Sequence, residues 1–268
     1  MILTTALRGL FRFAFGPTPE PPARSQASAL VLVADGIGGL DLCGVSLQVM
    51  AGRVARGHRV EVVRWCHGFG RWHKDLTNTA NVEAWAIRLA DQIQAFRAER
   101  PEVPVYLVGK SGGTGVVVRT LERLPAGVVQ GAVLLAPALS RHYDLDSALA
   151  AVDGMLTVFW SPFDLFLLGA GTLIFGTIDR VHSVSAGLTG FRWPRGSKPA
   201  GNGPSPHDRL CQVRWRWRMA ATGYLGGHLG CDSPFFLKKY VIPLLAVPQP
   251  NENAPIGSGG QGDPALSR

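Results

Sequence analysis

Along this chain the apolar positions keep two alternating rhythms. Short, mostly apolar runs occur at 29–34 (ALVLVA), at 58–65, where polar positions stand among the valines, between Pro104 and Gly109, at 128–136 (VVQGAVLLA) and at 155–160. Each has the length and β-branched content of a strand, and the more apolar ones suit burial on both faces. Between them the period lengthens to three and four residues. Leu47, Met50 and Val54 lead to a C-capping Gly57; Val82, Trp85, Leu89, Ile93 and Phe96 run within 79–100 and stop at Pro101; Val116, Val117, Thr120, Leu121 and Leu124 follow the third run. These are helix stripes with recognisable stops. Apolar strands alternating with helices predict an α/β fold, a mainly parallel sheet with helices on both faces. Its ligand edge is where the strands end, at the loops after Ala34, Gly109, Ala136 and Trp160.

The remainder of the pattern sets the boundaries. Residues 1–28 combine an apolar segment carrying Arg8 and Arg12 with a Pro-rich tether, 29–247 form the folded unit, and 248–268, with Gly-Ser-Gly-Gly-Gln-Gly, read as a flexible, disordered tail. The uncharged run 165–178 is too short for a membrane span, so a buried helix or a candidate lid insertion over 165–195 is expected. Arg214-Trp-Arg-Trp-Arg218 alternates with period two, which predicts a last strand with tryptophans toward the core and arginines toward solvent. An amphipathic helix near the end, 235–245, closes the domain.

Composition narrows the function. The formal net charge of +8 makes an anionic partner worth weighing, but the basic residues lie in scattered pairs and singles with no lysine-rich tract, so no nucleic-acid partner is expected. Basic residues interleaved with aromatics suit single-stranded nucleic acid, yet the strand reading accounts for Arg214–Arg218. Cys43, Cys66, Cys211 and Cys231 show no Cys-x-x-Cys spacing and no His ladder, so no metal site is expected. A reduced, cytoplasmic setting follows. Residues 1–16 make a poor signal peptide but suit packing on their own domain or peripheral contact with a membrane.

The chemistry concentrates in Gly109-Lys110-Ser111-Gly112-Gly113, a G-x-S-x-G pattern placed between a strand and a helix. A turn this tight forces the central residue into a strained backbone, and small neighbours avoid collision with it. The serine hydroxyl is then held at a helix N-terminus near backbone N–H groups suited to an oxyanion. A phosphate-binding P-loop would need a glycine where Pro104 stands, and the residues between are strand-like, so that motif is excluded on spacing.

With this order of elements the chain resembles the α/β-hydrolase superfamily over about 29–245. The resemblance implies a serine hydrolase that cleaves a carboxylic ester or thioester without a cofactor, through a triad ordered Ser, Asp, His. Ser111 matches the nucleophile; Asp164 lies just past the strand at 155–160; His228, in Gly226-Gly-His-Leu-Gly230, precedes the last helix. Asp179 and Asp144 are the alternative acids. The oxyanion hole implied is the N–H of Gly112 with that of Gly36 or Ile37. Lys110 departs from the aromatic residue or histidine usual before the nucleophile; a cation there suits a substrate with an anionic part or pairs with a surface carboxylate. His67 and His73 lie in a loop at the same sheet edge and are candidate pocket residues. The apolar run at 165–178 points to a partly hydrophobic acyl substrate. A catalytically inactive relative, kept as a binding or membrane-surface module, is the competing expectation.

Overall fold

The computed structural model describes Gly9 and residues 20–165, 168, 172–192 and 206–246. The segment 1–16 apart from Gly9, residues 248–268 expected as a tail, and parts of the stretch 165–195 expected as an insertion lie outside the described residues. Six strands, β1 (Ala29–Ala34), β2 (His58–Val63), β3 (Val105–Lys110), β4 (Gly131–Leu135), β5 (Leu156–Trp160) and β6 (Leu210–Arg214), form one sheet. Their order is β2-β1-β3-β4-β5-β6 and every pairing is parallel. The sheet therefore presents all its strand ends at one edge, where the loops after β1, β3, β4 and β5 converge.

The pleat sorts the runs into two cores. Leu30, Leu32, Val105, Leu107 and Leu134 face one side, where α3 (Thr79–Glu99), α4 (Gly113–Leu121) and α5 (Asp146–Ala150) supply Val82, Leu89, Ile93, Phe96, Val117 and Leu149. Val31, Val33, Val108 and Val133 face the other, under α1 (Leu42–Val54) and the C-terminal helical segment with Phe236, Leu237 and Val241. The central strands β1 and β4 are covered on both faces and wholly apolar, which is why their runs read as continuous rather than alternating, whereas the edge strands β2 and β6 keep polar positions. The 21-residue α3 starts at Asn78, whose side chain accepts from the Asn81 N–H.

Three short helices complete the ligand edge: α2 (Trp72–Thr77), α6 (Thr172–Phe175) and α7 (Ala186–Thr189). Ile178 is buried, its N–H donating to Ala138 O, and Ser185 bridges Ser140, so residues 178–185 pack onto the loop after β4. The stretch before β1 is docked as well: Arg24 pairs with Glu61, and Arg59 donates to Pro22 O. Among the described residues, no helix is long and apolar enough to cross a membrane.

The structure revises two expectations. The Arg-Trp alternation is not a strand through Arg218. β6 stops at Arg214, opposite Trp160, because β5 ends there and leaves no further partner. Trp215 still donates its N–H to Trp160 O and its indole to Tyr224 O, but Trp217 turns out to solvent, 79% exposed. The closing helix is also broken into three: α8 (Pro234–Phe236), a π turn (Leu237–Val241) and a 3-10 turn (Ile242–Leu245). Pro243 explains the last change, since its ring cannot donate into an α-helical ladder.

Candidate active site

At the end of β3 the chain reverses into α4 within a few residues, and Ser111 takes φ +52°, a left-handed backbone for a residue with a side chain. Such a conformation costs on the order of 1–3 kcal/mol and persists only where the surroundings fix it. They do so here: Ser111 N–H donates to Leu135 O, and Ser111 O accepts from Thr114 N and Oγ1. The flanking glycines are required by backbone packing. A Cβ on Gly109 would stand 2.8 Å from Thr114 Cα, and one on Gly113 would collide with the carbonyl oxygens of Ala34 and Asp35.

Two loops deliver the partners. Asp164, 4% exposed, follows β5; His228 lies in the loop between β6 and α8. His228 Nε2 is 2.9 Å from Ser111 Oγ, and His228 Nδ1 is 2.6 Å from Asp164 Oδ2. With the proton on Nδ1 facing the carboxylate, Nε2 is left to accept from the serine hydroxyl. Burial pushes the His228 pKa below the ordinary imidazole value; the hydrogen bond that His228 donates to Asp164 opposes this and the Lys110 charge reinforces the lowering. The other two acids lie elsewhere: Asp179 accepts from Ser140 N–H, and Asp144 from Asp146 N–H.

The loop after β1 closes over the serine. Asp35 accepts from Gly36 N–H and Gly44 N–H at 2.8 Å each, while the Trp65 indole donates to Asp35 O. Gly36 N–H is therefore occupied, which leaves Ile37 as the candidate donor in this loop. Ile37 Cγ2 packs so closely on Gly112 that a Cβ there would be 2.6 Å away, so the two segments bearing the candidate N–H groups are in contact. Farther along, Gly38 N–H donates to Asp75 Oδ2 at 2.8 Å.

The remaining candidates divide. Lys110 meets neither solvent nor a surface carboxylate; its ammonium is 3.1 Å from Asp232 Oδ2, both side chains 6% exposed. His67 is held by Asp75, which accepts from its N–H and Nδ1, and by Asn78. That places it as a strut of the loop. His73 is exposed on α2 with its ring against the edge of Trp72. Asp35, Trp65, Asp75 and Asp232 carried no sequence signal as site residues beyond the position of Asp35 at a strand end. Exposed apolar side chains flank the triad: Phe163 and Leu165 beside Asp164, Leu225 and Leu229 beside His228. Trp72 and Phe175 meet edge to face at 5.6 Å between ring centroids, joining α2 to α6.

Solved structures similar to this one include an acetylxylan esterase (15% identity, 82% of this chain and 99% of that one, TM-score 0.43). A hydrolase of the α/β superfamily from Xanthomonas campestris pv. campestris (19%, 78% and 95%, TM-score 0.41) and a cutinase from Trichoderma reesei bound to a phosphonate inhibitor (17%, 63% and 75%, TM-score 0.40) are others. Among curated proteins there is no significant match. The model of the family described as serine aminopeptidase, S33, matches residues 26–175. That match takes in β1 to β5, the serine turn and Asp164, more than half of the chain, and the chain belongs to this family of α/β-hydrolases as a serine hydrolase.

Proposed function

We propose that this enzyme hydrolyses a carboxylic ester or thioester with an apolar acyl group, through an acyl-serine intermediate. The observation that carries the reading is the unbroken hydrogen-bond chain from Ser111 Oγ through His228 to buried Asp164, at 2.9 and 2.6 Å. Ser111 Oγ attacks the carbonyl carbon while His228 Nε2 takes its proton; Asp164 steadies the imidazolium. The N–H groups of Gly112 and Ile37 hold the oxyanion. Its collapse expels the alcohol or thiol, which leaves with the proton from His228. Water, activated by the same imidazole, then releases the acid and restores the serine.

An ester or thioester is favoured over an N-terminal peptide by what surrounds the triad. An aminopeptide must place an ammonium near the scissile bond, and a carboxylate facing it would be expected there. The exposed side chains next to Asp164 and His228 along the chain are Phe163, Leu165, Leu225 and Leu229, whose apolar surface suits an acyl chain. The reading takes 29–247 as the catalytic unit and 165–195 as a candidate lid, with residues 1–16 packing on the domain or serving as a peripheral membrane contact.

The test compares p-nitrophenyl esters of increasing acyl length with aminoacyl p-nitroanilides. Turnover of the esters that rises with acyl length and vanishes in Ser111→Ala is expected. Ser111→Ala protein that keeps its turnover, or a preference for the anilides, would overturn the assignment.

A further inference from the structure

Lysine is an unusual residue to bury immediately before a nucleophile. Lys110 ends β3, and its ammonium pairs with Asp232, which belongs to the 3-10 turn Gly230–Asp232 four residues after His228. Apart from the bonds of His228 itself to Ser111 and Asp164, the bonds within that loop are local: Gly230 N–H to Gly227 O, Asp232 N–H to Leu229 O, Cys231 Sγ to His228 O. Lys110 also supports the third segment of the site. A Cβ placed on Gly36 would be 3.3 Å from both Lys110 Cδ and Ser111 Cβ and 3.5 Å from Lys110 Nζ, so the lysine stem lies against the loop after β1.

We propose that Lys110 and Asp232 are positioning residues, a buried ionic strut that fixes the His228 loop against the strand end carrying Ser111. The inference rests on reading Ser111 and His228 as nucleophile and base. Stability alone does not account for the pair, because apolar residues of similar volume generally serve a core as well or better than a buried ion pair. The lysine also acts on the histidine. The charged and titratable groups around His228 and the pair are Asp164 after β5, Lys110 at the end of β3, Asp232 and Cys231 on the His228 loop, Tyr224 before that loop, Asp35 in the loop after β1 and Cys43 on α1. Of these, Lys110 is the cation, and its field favours the neutral imidazole that accepts the serine proton. Burial works against the Lys110 charge, but the negative groups around it, Asp232 first and Asp35 among the others, together outweigh burial and keep the ammonium charged.

The experiment is the pH profile of p-nitrophenyl ester hydrolysis for the full chain, with Lys110→Met, Lys110→Arg and Lys110→Met/Asp232→Leu. Wild type against Ser111→Ala comes first: turnover independent of Ser111 would sink the underlying triad reading and this inference with it. Given a Ser111-dependent wild type, Lys110→Met should lose about tenfold to a hundredfold in kcat with little change in KM, as expected of a misplaced catalytic pair. Its acid limb should move to higher pH. The double variant should regain thermal stability but neither the kcat nor the limb, whereas Lys110→Arg should keep the limb in place. Wild-type kcat and acid limb in the double variant, or a limb unmoved in Lys110→Met, would reduce the pair to a structural contact and overturn the proposal.

Discussion

Asp75→Asn separates the geometry of the oxyanion loop from the triad itself. The Asp75 carboxylate is fully buried and accepts three hydrogen bonds, from Gly38 N–H on Oδ2 and from His67 N–H and Nδ1 on Oδ1, all 2.8 Å long. Asparagine has the same shape but a single oxygen. Turned toward the two His67 donors, it sets its NH2 against Gly38 N–H, so one bond to a carboxylate is lost and a buried donor is left facing a donor. Each such loss is worth about 1–3 kcal/mol, and the pair together about 2–4 kcal/mol. For a chain of this size that lowers Tm by about 5–15 °C. The kinetic effect should exceed what stability explains, because Gly38 adjoins Ile37, the candidate oxyanion donor. Removing such a donor outright costs about 10²–10³ in kcat, so displacing it should cost about 10–100-fold with KM nearly unchanged. Thermal denaturation and ester hydrolysis on the same preparation read both effects. A variant with wild-type Tm and kcat would show that Asp75 does not hold this loop.

Other consequences follow from the same geometry. Gly113→Ala drives a methyl group into two backbone oxygens of the β1 loop, so it should destabilise by at least about 1–3 kcal/mol and abolish turnover, measured by denaturant melts and hydrolysis. Asp164→Asn should leave the fold intact by circular dichroism while kcat falls by about 10⁴, the loss known for the serine protease triad. The acid limb of hydrolysis should fall below the ordinary imidazole value of about 6.5, because burial first and the Lys110 charge second favour neutral His228. The same shift ties stability to pH: with the folded value depressed, the contribution of His228 is full above about 6.5 and is lost as pH falls toward the folded value, which Tm against pH will show.

Much of this arrangement was legible along the chain because the central strands are buried on both faces and the glycines are spelled out. Gly109 and Gly113 announce the turn at Ser111, since only glycine fits where backbone meets backbone. Ser111, Asp164 and His228 follow from their order at strand ends. The supports were not legible, because Asp75 and Asp232 act through partners far along the chain: Gly38 is 37 positions from Asp75, and no local pattern marks an aspartate that accepts from distant backbone. Lys110 carried the wrong expectation for the same reason; its partner is buried rather than at the surface. Arg214–Arg218 misled because period two is necessary for a strand but the neighbouring strand decides its length, and β5 ends at Trp160. The sequence alone does not choose between Gly36 and Ile37 as donor; the choice falls to Ile37 because the Asp35 side chain accepts from Gly36 N–H.

The central claim is that Ser111 is an activated nucleophile with His228 as its base, and covalent labelling tests it most directly. Full-length protein, Ser111→Ala and His228→Ala would be incubated with a fluorophosphonate probe and the adduct mapped by mass spectrometry. A single adduct on Ser111 that is absent from both variants is the predicted result. Folded wild-type protein that takes up no probe, or labelling that survives loss of His228, would contradict the account.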